Sequence, residues 1–275
     1  MSASRDENLK TFRLAIIGSG FGGIGMAIRL KQSGIDDFVV LEKSSDVGGV
    51  WRDNTYPGCA CDVESHLYSF SFAPNPQWTH QYADQGEIWA YLKQTAETFG
   101  VMPHVWFGAE LLQAVWSETE KVWTIFCSGG PIKVQMIINA SGAFSKALIP
   151  DIPHFDQFKG RSFHSSVWDH SIDLSGKRVA VLGTGASAVQ FIPKVQKQAA
   201  TLTVFQKTPA WVLPRGDKVL SDALKRNLTL FPRLLKMRLS QLVSRCQRPQ
   251  LYALALFCWL FQERSFDFPV DRLYL

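Results

Sequence analysis

A glycine-rich turn near the start of the chain has the spacing that a dinucleotide-binding site needs. Gly18, Gly20 and Gly23 follow the apolar residues 13–17 and precede a helical pattern. In such a turn the first glycine allows the tight bend, the second lets the backbone approach a pyrophosphate, and the third lets helix and strand pack closely. The phosphates then lie at the positive end of the helix. These residues predict a dinucleotide site.

A second turn of the same kind occurs much later in the chain. Gly183, Gly185 and Ala188 follow the apolar residues 178–182 and open another helical pattern, with alanine as the third small residue. One such match can be merely a turn between a strand and a helix. Two matches in the same context predict two dinucleotide-binding sites on one chain.

Each glycine-rich turn belongs to a strand-turn-helix-strand unit, and the residues at the end of the second strand of each such unit indicate different ligands. Glu42 ends the first unit, where a carboxylate accepts hydrogen bonds from ribose hydroxyls and repels a 2′-phosphate, which suits FAD or NAD. The second unit has Lys207 and Thr208 instead, which suit the 2′-phosphate of NADPH; alternatively, Lys207 is a solvated surface lysine. A flavin and NADPH on one chain suggest electron transfer between them.

The elements around these turns predict the fold class. Strand, turn, helix and strand succeed one another over residues 13–41 and again over 178–205, and residues 105–140 favour further strands. We also expect an ordered loop over 46–77 and a helix over 85–99. The succession predicts an α/β fold with two Rossmann-like dinucleotide-binding domains, of which the second is incomplete.

The residues after the second unit predict helices. Leucines recur three or four residues apart, with basic residues between them, so we expect a helical segment over 216–262 that Pro232 kinks or splits. The expected domains are an FAD-binding domain over 1–145, a linker over 146–176 and a partial NADPH-binding domain over 177–275.

Composition excludes several classes of protein. Hydrophobic residues make up 46% of the chain and charged residues 19%, which excludes a disordered, collagen-like or coiled-coil chain. The apolar run 251–261 is too short to span a membrane, and the N-terminus lacks a signal-peptide core. An odd number of cysteines, five, argues against a disulfide framework and for the cytoplasm. Cys59 and Cys61 lack zinc-ligand partners, so no metal site is expected.

The positive charge is concentrated in the helical segment. The net charge is +5, and residues 215–250 hold nine Lys or Arg and two Asp. No nucleic-acid-binding motif accompanies them, so we expect no nucleic-acid partner. Peripheral membrane contact through residues 218–262 is an alternative, but we favour an apolar stripe packed on the nucleotide domain with its charges in water. The oligomeric state stays open.

The linker carries the pattern F-x-G-x-x-x-H-x-x-x-W in Phe158, Gly160, His164 and Trp168. This string resembles the fingerprint of the Baeyer–Villiger class of flavin monooxygenases, and it lies between the two turns as in that family. Further similar segments occur in the family's order, and the likeness runs from about residue 13 to 215. These segments are G-G-V-W at 48–51, the loop 54–62, N-A-S-G at 139–142 and Q-K-T-P-A-W at 206–211.

The resemblance implies a reaction and a set of cofactor contacts. NADPH reduces FAD, and with O2 the enzyme converts a ketone into an ester or lactone, or oxygenates a sulfide or amine. The first turn, Glu42 and Gly49 would hold FAD. The second turn, Lys207 and Thr208 would hold NADPH. The partners would then be small-molecule substrates and O2.

The resemblance also implies roles near the reaction. Trp51 and Asp62 would lie at the flavin, and His164 and Trp168 would couple nicotinamide binding to domain movement. Asp62, His164 and Trp168 are therefore the candidate catalytic residues. Alternatively, Asp62 caps a helix or turn, His164 is a structural histidine, and the tryptophans are core aromatics.

The sequence departs from the family in length and in its cations. Family members continue further, and the part that carries their catalytic arginine has no counterpart; Arg215 is the nearest candidate by position. Ala60 stands where many members have arginine, and Lys207 where arginine is common. The chain is then a fragment of a longer enzyme, a short form that binds FAD and NADP without completing catalysis, or one half of a split enzyme. Less favoured alternatives are a flavin disulfide reductase and a non-enzymatic interaction protein.

Overall fold

The computed structural model describes residues 9–209 and 215–246. They form two compact units, the first made of 9–59 with 85–209 and the second of 60–84 with 215–246. Both glycine-rich turns belong to the first unit. The two units are defined by which residues contact each other, and they do not correspond to nucleotide-binding folds. The domain boundaries expected from the sequence therefore remain a prediction.

The first unit contains strands and helices in the alternation that the sequence predicts. Its strands are β1 (Lys10–Ile17), β2 (Phe38–Leu41), β3 (Val105–Trp106), β4 (Leu111–Ser117), β5 (Val122–Cys127), β6 (Gly130–Asn139), β7 (Arg178–Leu182) and β8 (Thr201–Phe205). Its helices are α1 (Phe21–Gln32), α2 (Val50–Asp53), α3 (Gln85–Thr98) and α4 (Ala186–Val195), with 3-10 turns at Met102–His104, Phe155–Gln157 and Ser165–Val167. The expected α/β fold is confirmed.

The larger sheet places the ends of two parallel strands side by side. Its strand order is β3-β2-β1-β6-β5-β4. β1 pairs in parallel with both neighbours, so Leu14 lies opposite Phe38 on one side and Met136 on the other. β4, β5 and β6 pair antiparallel. Gly18 and Glu42, which follow β1 and β2, therefore meet at one edge of the sheet, where open α/β sheets bind their ligands.

The central strands are buried on both faces. All four residues of β2 are buried, as expected for a strand inside a parallel sheet. Ala15 and Ile17 of β1 belong to one apolar cluster, which includes Ile125 and Val134 of the antiparallel strands. Ile16 points to the opposite face, where α1 and α3 bury their apolar residues. Burial on both faces holds the glycine-rich turn on a rigid base.

The smaller sheet consists of β7 and β8. They pair in parallel from Arg178 opposite Thr201 to Leu182 opposite Phe205, and α4 connects them. Val181, Ala188 and Phe191 are buried together between this sheet and α4. The predicted second strand-turn-helix-strand unit is confirmed.

The second unit combines an irregular loop with two helices. The loop over 60–84 is ordered by buried polar groups: the hydroxyl of Ser65 lies 2.8 Å from the carbonyl oxygen of His80 and accepts a hydrogen bond from the N–H of Ala83, also 2.8 Å. Trp78 is fully buried. His66 is buried near Arg238, and burial followed by that positive charge lowers the pKa of His66 to about 4. Its imidazole is neutral at pH 7.

The helices of the second unit begin later than the sequence predicts. They are α5 (Asp222–Leu230) and α6 (Pro232–Cys246). The predicted segment 216–262 is wrong at its start, because Leu220 fits the leucine spacing but its N–H bonds the carbonyl oxygen of Thr79 at 2.8 Å. Ser221 then caps α5.

Pro232 splits the helical segment, as predicted. It is the first residue of α6, a position that needs no N–H donor. Residues 247–262 of the predicted segment lie outside the described part. No helix within 9–209 and 215–246 combines the length and apolarity that crossing a membrane requires.

We predict that Gly23→Ala destabilises the first unit. A Cβ on Gly23 would lie 1.9 Å from the carbonyl oxygen of Gly18, so α1 would have to move away from β1. We expect the free energy of unfolding, measured with urea, to fall by about 3 kcal/mol. The control is Gly22→Ala in the same helix, whose Cβ would meet only Ala140 at 3.7 Å and should raise stability slightly. Equal effects of the two changes would contradict the close approach.

Candidate dinucleotide-binding sites

The first turn begins α1 without a side-chain cap, which leaves the first N–H groups of the helix available to an anion. Gly18 has φ +97°, and its N–H donates to the carbonyl oxygen of Leu41 at 2.8 Å. Gly20 caps α1 with extended backbone, no side chain caps the helix, and its first turn holds no acidic residue. The N–H groups that begin a helix attract phosphate when no side chain satisfies them. The three predicted glycines therefore fit a pyrophosphate.

The G-G-V-W segment lies against this turn. The N–H of Gly48 donates to the carbonyl oxygen of Ser19 at 2.9 Å, and a Cβ on Gly49 would lie 3.1 Å from the Cα of Gly20. Gly20 and Gly49, two of the predicted cofactor contacts, therefore lie together, and their backbones touch directly because neither residue has a side chain. Trp51 follows in α2, where its carbonyl oxygen accepts a hydrogen bond from Gln85.

Glu42 is buried at the end of β2 and faces the first turn. One carboxylate oxygen accepts hydrogen bonds from the N–H of Ser19 at 3.0 Å and from its hydroxyl at 2.6 Å. The other accepts from the N–H of Ser44 at 2.9 Å and lies 3.2 Å from the guanidinium of Arg52. These contacts occupy about the four lone-pair sites of a carboxylate. A ribose hydroxyl would have to replace one of the two side-chain contacts.

The surroundings of Glu42 keep it ionised. Burial acts to raise its pKa, but the hydrogen bonds from Ser19 and Ser44 and the charge of Arg52 outweigh burial and lower the pKa below its usual value. Arg52 is itself mostly buried and also pairs with Asp53 at 2.8 Å. A carboxylate fixed in this way carries a full negative charge beside the turn. That charge repels a phosphate placed on the ribose.

The second turn repeats the backbone of the first. Gly183 has φ +95°, and its N–H donates to the carbonyl oxygen of Phe205 at 2.8 Å. Gly185 caps α4 with extended backbone and no side-chain cap. Among the described residues, apart from its chain neighbours, no atom lies within 4 Å of a Cβ built on either glycine, so these residues leave room for a pyrophosphate before α4. Ala188 lies in the first turn of α4 and is buried, as the third small position requires.

Polar side chains follow β8 at this edge. Lys207 and Thr208 are both exposed. Gln206, which directly follows β8, donates from Nε2 to the hydroxyl oxygen of Thr184 at 2.8 Å. The strand end therefore offers a cation, a hydroxyl and an amide, with no carboxylate among its three residues.

The two candidate catalytic residues of the linker lie in different surroundings. His164 begins the 3-10 turn Ser165–Val167, and its Nδ1 accepts a hydrogen bond from the N–H of Ser166 at 3.1 Å. Trp168 packs edge-on to Phe163 and also against Phe191 of α4, with ring centroids 5.2 Å apart in both pairs. His164 thus caps a turn and Trp168 packs in a core. Their predicted catalytic roles remain predictions.

A bridging loop, residues 54–59, connects the first turn's surroundings with α4. The hydroxyl of Tyr56 donates to Gln190 of α4 at 3.2 Å, and the hydroxyl of Thr55 lies 2.8 Å from Nε2 of His170 in the linker. A Cβ on Gly58 would lie 3.0 Å from the carbonyl oxygen of Gln190. The loop therefore packs directly on the helix that the second turn opens.

Comparison with known proteins decides the family. The model of the flavin-binding monooxygenase-like family matches residues 11–252. This chain belongs to that family. A Baeyer–Villiger monooxygenase of Streptomyces coelicolor is 50% identical over 236 residues, which are 86% of this chain and 46% of that protein. The resemblance to the Baeyer–Villiger class is confirmed.

Solved structures of such monooxygenases share the fold. A closed structure of cyclohexanone monooxygenase matches with a TM-score of 0.76 at 31% identity, over 84% of this chain and 44% of that one. A complex of OTEMO with FAD and NADP matches with a TM-score of 0.73 at 33% identity, over 81% and 45%. The chain thus spans somewhat less than half the length of these monooxygenases.

Asp62 belongs to the second unit, where its side chain is exposed, and its role at a flavin remains a prediction. Sequence reasoning missed Arg52 as the cation beside Glu42. The available signal was that a buried carboxylate at a strand end needs a cationic partner, and Arg52 directly follows the G-G-V-W segment.

We predict that Glu42→Gln destabilises the chain at neutral pH. The amide cannot accept all four contacts, and we expect the free energy of unfolding at pH 7 to fall by about 2 kcal/mol. Because the folded pKa of Glu42 lies below its usual 4.5, its stabilisation is present above that pH and is lost as pH falls through the folded pKa. Urea unfolding from pH 7 to 3 should therefore show that the difference in unfolding free energy between Glu42→Gln and the unchanged chain decreases.

The control for this prediction is Glu118→Gln. Glu118 is an exposed carboxylate paired with Lys121, so its loss should change stability little at any pH. If the loss of unfolding free energy caused by Glu42→Gln stayed constant down to pH 3, the charge of the carboxylate would not be what stabilises the turn.

We predict that Gly58→Ala loosens the bridging loop from α4. Gly58 has φ +83° and contacts Gln190, whereas Gly176 has φ +69° and, within the described part of the chain, no neighbour within 4 Å of its Cβ position. Both alanines bear the strain of positive φ, about 1 kcal/mol. Only Gly58→Ala adds a clash, so urea unfolding should show a further loss of about 1 kcal/mol. Equal losses would contradict the packing of the loop on α4.

Proposed function

We propose that this chain binds FAD at the first turn and NADPH at the second, as part of a flavin-dependent monooxygenase. The observation that carries the proposal is the pair of bare helix starts, one beside a buried carboxylate and one beside a lysine. The family and the FAD and NADP in a matched structure support it. The reaction would use NADPH and O2 to convert a ketone into an ester or lactone, or to oxygenate a sulfide or amine.

The residues of the chain would divide the binding between them. The N–H groups at the start of α1 would hold the FAD pyrophosphate, and Glu42 would accept a ribose hydroxyl in place of the Ser19 hydroxyl, which can rotate away. The start of α4 would hold the NADPH pyrophosphate, with Lys207 and Thr208 on the 2′-phosphate. When bound, FAD supplies the capacity to take electrons from NADPH and to activate O2.

The proposal is tested by loading the purified chain with FAD and adding NADPH without oxygen. We expect retained flavin whose visible absorbance bleaches, after which ketones and sulfides are tried as substrates in air. Flavin that dithionite bleaches and NADPH does not would leave a protein that binds FAD and lacks the proposed electron transfer. Failure to retain FAD would overturn the proposal for this chain.

We predict that Lys207→Ala weakens NADPH in this assay. Loss of a charge-assisted contact with the phosphate should raise the NADPH concentration for half-bleaching about tenfold. The matched control is Lys197→Ala, another exposed lysine that lies beyond the far end of α4 and should change nothing. Equal effects would assign the change to overall charge rather than to a phosphate contact.

A further inference from the structure

The helices of the second unit carry two sets of apolar side chains, of which only one is buried. Leu228, Leu235 and Leu242 lie seven residues apart in sequence, and all three are buried. Four other large apolar side chains lie where α5 ends and α6 begins, and they are between 43% and 64% exposed: Leu230, Phe231, Leu234 and Met237. We call these four residues the apolar corner. The packing of the leucine stripe does not account for them.

The local backbone holds the apolar corner on one side of α6. The N–H of Leu234 donates to the carbonyl oxygen of Phe231 at 2.8 Å, so the helix begins directly at the corner. Met237 follows one turn later on the side of Leu234. Ser240 and Ser244 continue this side, and their hydroxyls donate to carbonyl oxygens one turn earlier, at 3.1 and 2.9 Å. The side that extends from the corner therefore presents hydroxyls that the helix backbone already satisfies.

Cations flank the apolar corner. Arg226 lies one turn before Leu230 in α5, and Arg233 lies one turn before Met237 in α6; both arginines and the nearby Lys236 are exposed. The sequence from 223 to 246 contains six Lys or Arg and no Asp or Glu. Side chains of this kind can lay their alkyl stems along apolar groups while their charges reach outward. The corner thus combines exposed apolar groups with positive charge alone.

This combination matches the surface of an anionic bilayer better than it matches other partners. The hydrocarbon region accepts apolar side chains, and the anionic headgroups attract Lys and Arg. A nucleic acid would pair with the cations but would leave the apolar corner unburied. A second copy of the chain would cover the apolar side chains but would bring two positively charged surfaces together.

We propose that the apolar corner, with Arg226, Arg233 and Lys236, is a docking surface for an anionic lipid bilayer. The start of α6 would lie along the membrane surface, with the apolar side chains below the headgroups and the three cations among them. Contact of this kind needs no membrane-spanning helix. The inference goes beyond the proposed function and does not depend on the binding of FAD or NADPH.

The test is co-sedimentation of the purified chain with vesicles. One set is phosphatidylcholine alone, and the other is an equimolar mixture of phosphatidylcholine and phosphatidylserine. We expect the chain to sediment with the mixed vesicles at low salt and to remain in solution with phosphatidylcholine alone. High salt should weaken the binding, because it screens the attraction between the cations and the headgroups.

Two double variants separate the apolar contribution from the charge. Phe231→Ser with Met237→Gln removes exposed apolar groups, and Arg233→Gln with Lys236→Gln removes exposed cations. We expect each pair to lower the partition coefficient for mixed vesicles about tenfold. Because all four side chains are exposed, unfolding by urea should change little.

The matched controls make the same kinds of change in the first unit. Leu112→Ser with Val115→Gln removes two exposed apolar side chains of β4, and Lys177→Gln with Lys197→Gln removes two exposed lysines. Both controls should bind mixed vesicles as the unchanged chain does. Losses equal to those of the corner variants would assign the binding to overall hydrophobicity or charge and overturn the proposal.

Two further results would also overturn it. The first is a chain that stays in solution with mixed vesicles at low salt, or that sediments equally with phosphatidylcholine alone. The second is retention of a short DNA duplex by a chain that binds neither kind of vesicle, which would assign the cations to a nucleic acid.

Discussion

The carboxylate of Glu42 is the interaction on which the first site depends. It lies where a parallel strand ends. It accepts two hydrogen bonds from Ser19 and one from Ser44, and it forms an ion pair with Arg52. A buried charge without such partners would cost several kcal/mol. The partners come from the glycine-rich turn, from the segment after β2 and from α2. One charged group thereby fixes the relative positions of three segments that would surround a dinucleotide.

The bridging loop makes the two glycine-rich turns part of one compact unit. Tyr56 and Gly58 contact α4, and Trp168 of the linker packs on Phe191 of the same helix. The helix whose start is proposed to bind a phosphate is thus in direct contact with the loop that follows α2.

The second site uses the same backbone with different side chains. Gly183 and Gly185 repeat the bend and the helix start without a side-chain cap, so the proposed pyrophosphate contacts are common to both turns. The side chain after the second strand differs between the two turns, because Glu42 is a carboxylate that repels a phosphate and Gln206 is a neutral amide that does not.

The sequence by itself determined the elements and the turns, because these depend on local chemistry. Small residues at fixed spacing after an apolar strand permit one bend, and apolar periodicity gave the strands and helices close to their bounds. Only the tertiary structure decided what was distant in sequence: Arg52 beside Glu42, Gln206 on Thr184, and the bridging loop on α4. Leu220 shows the same limit, since its spacing predicts a helix, whereas its N–H bonds the carbonyl oxygen of Thr79 and it lies before the start of α5. The spacing of residues limits the secondary structures that a segment can adopt. The contacts made on packing then determine which of these structures the segment adopts.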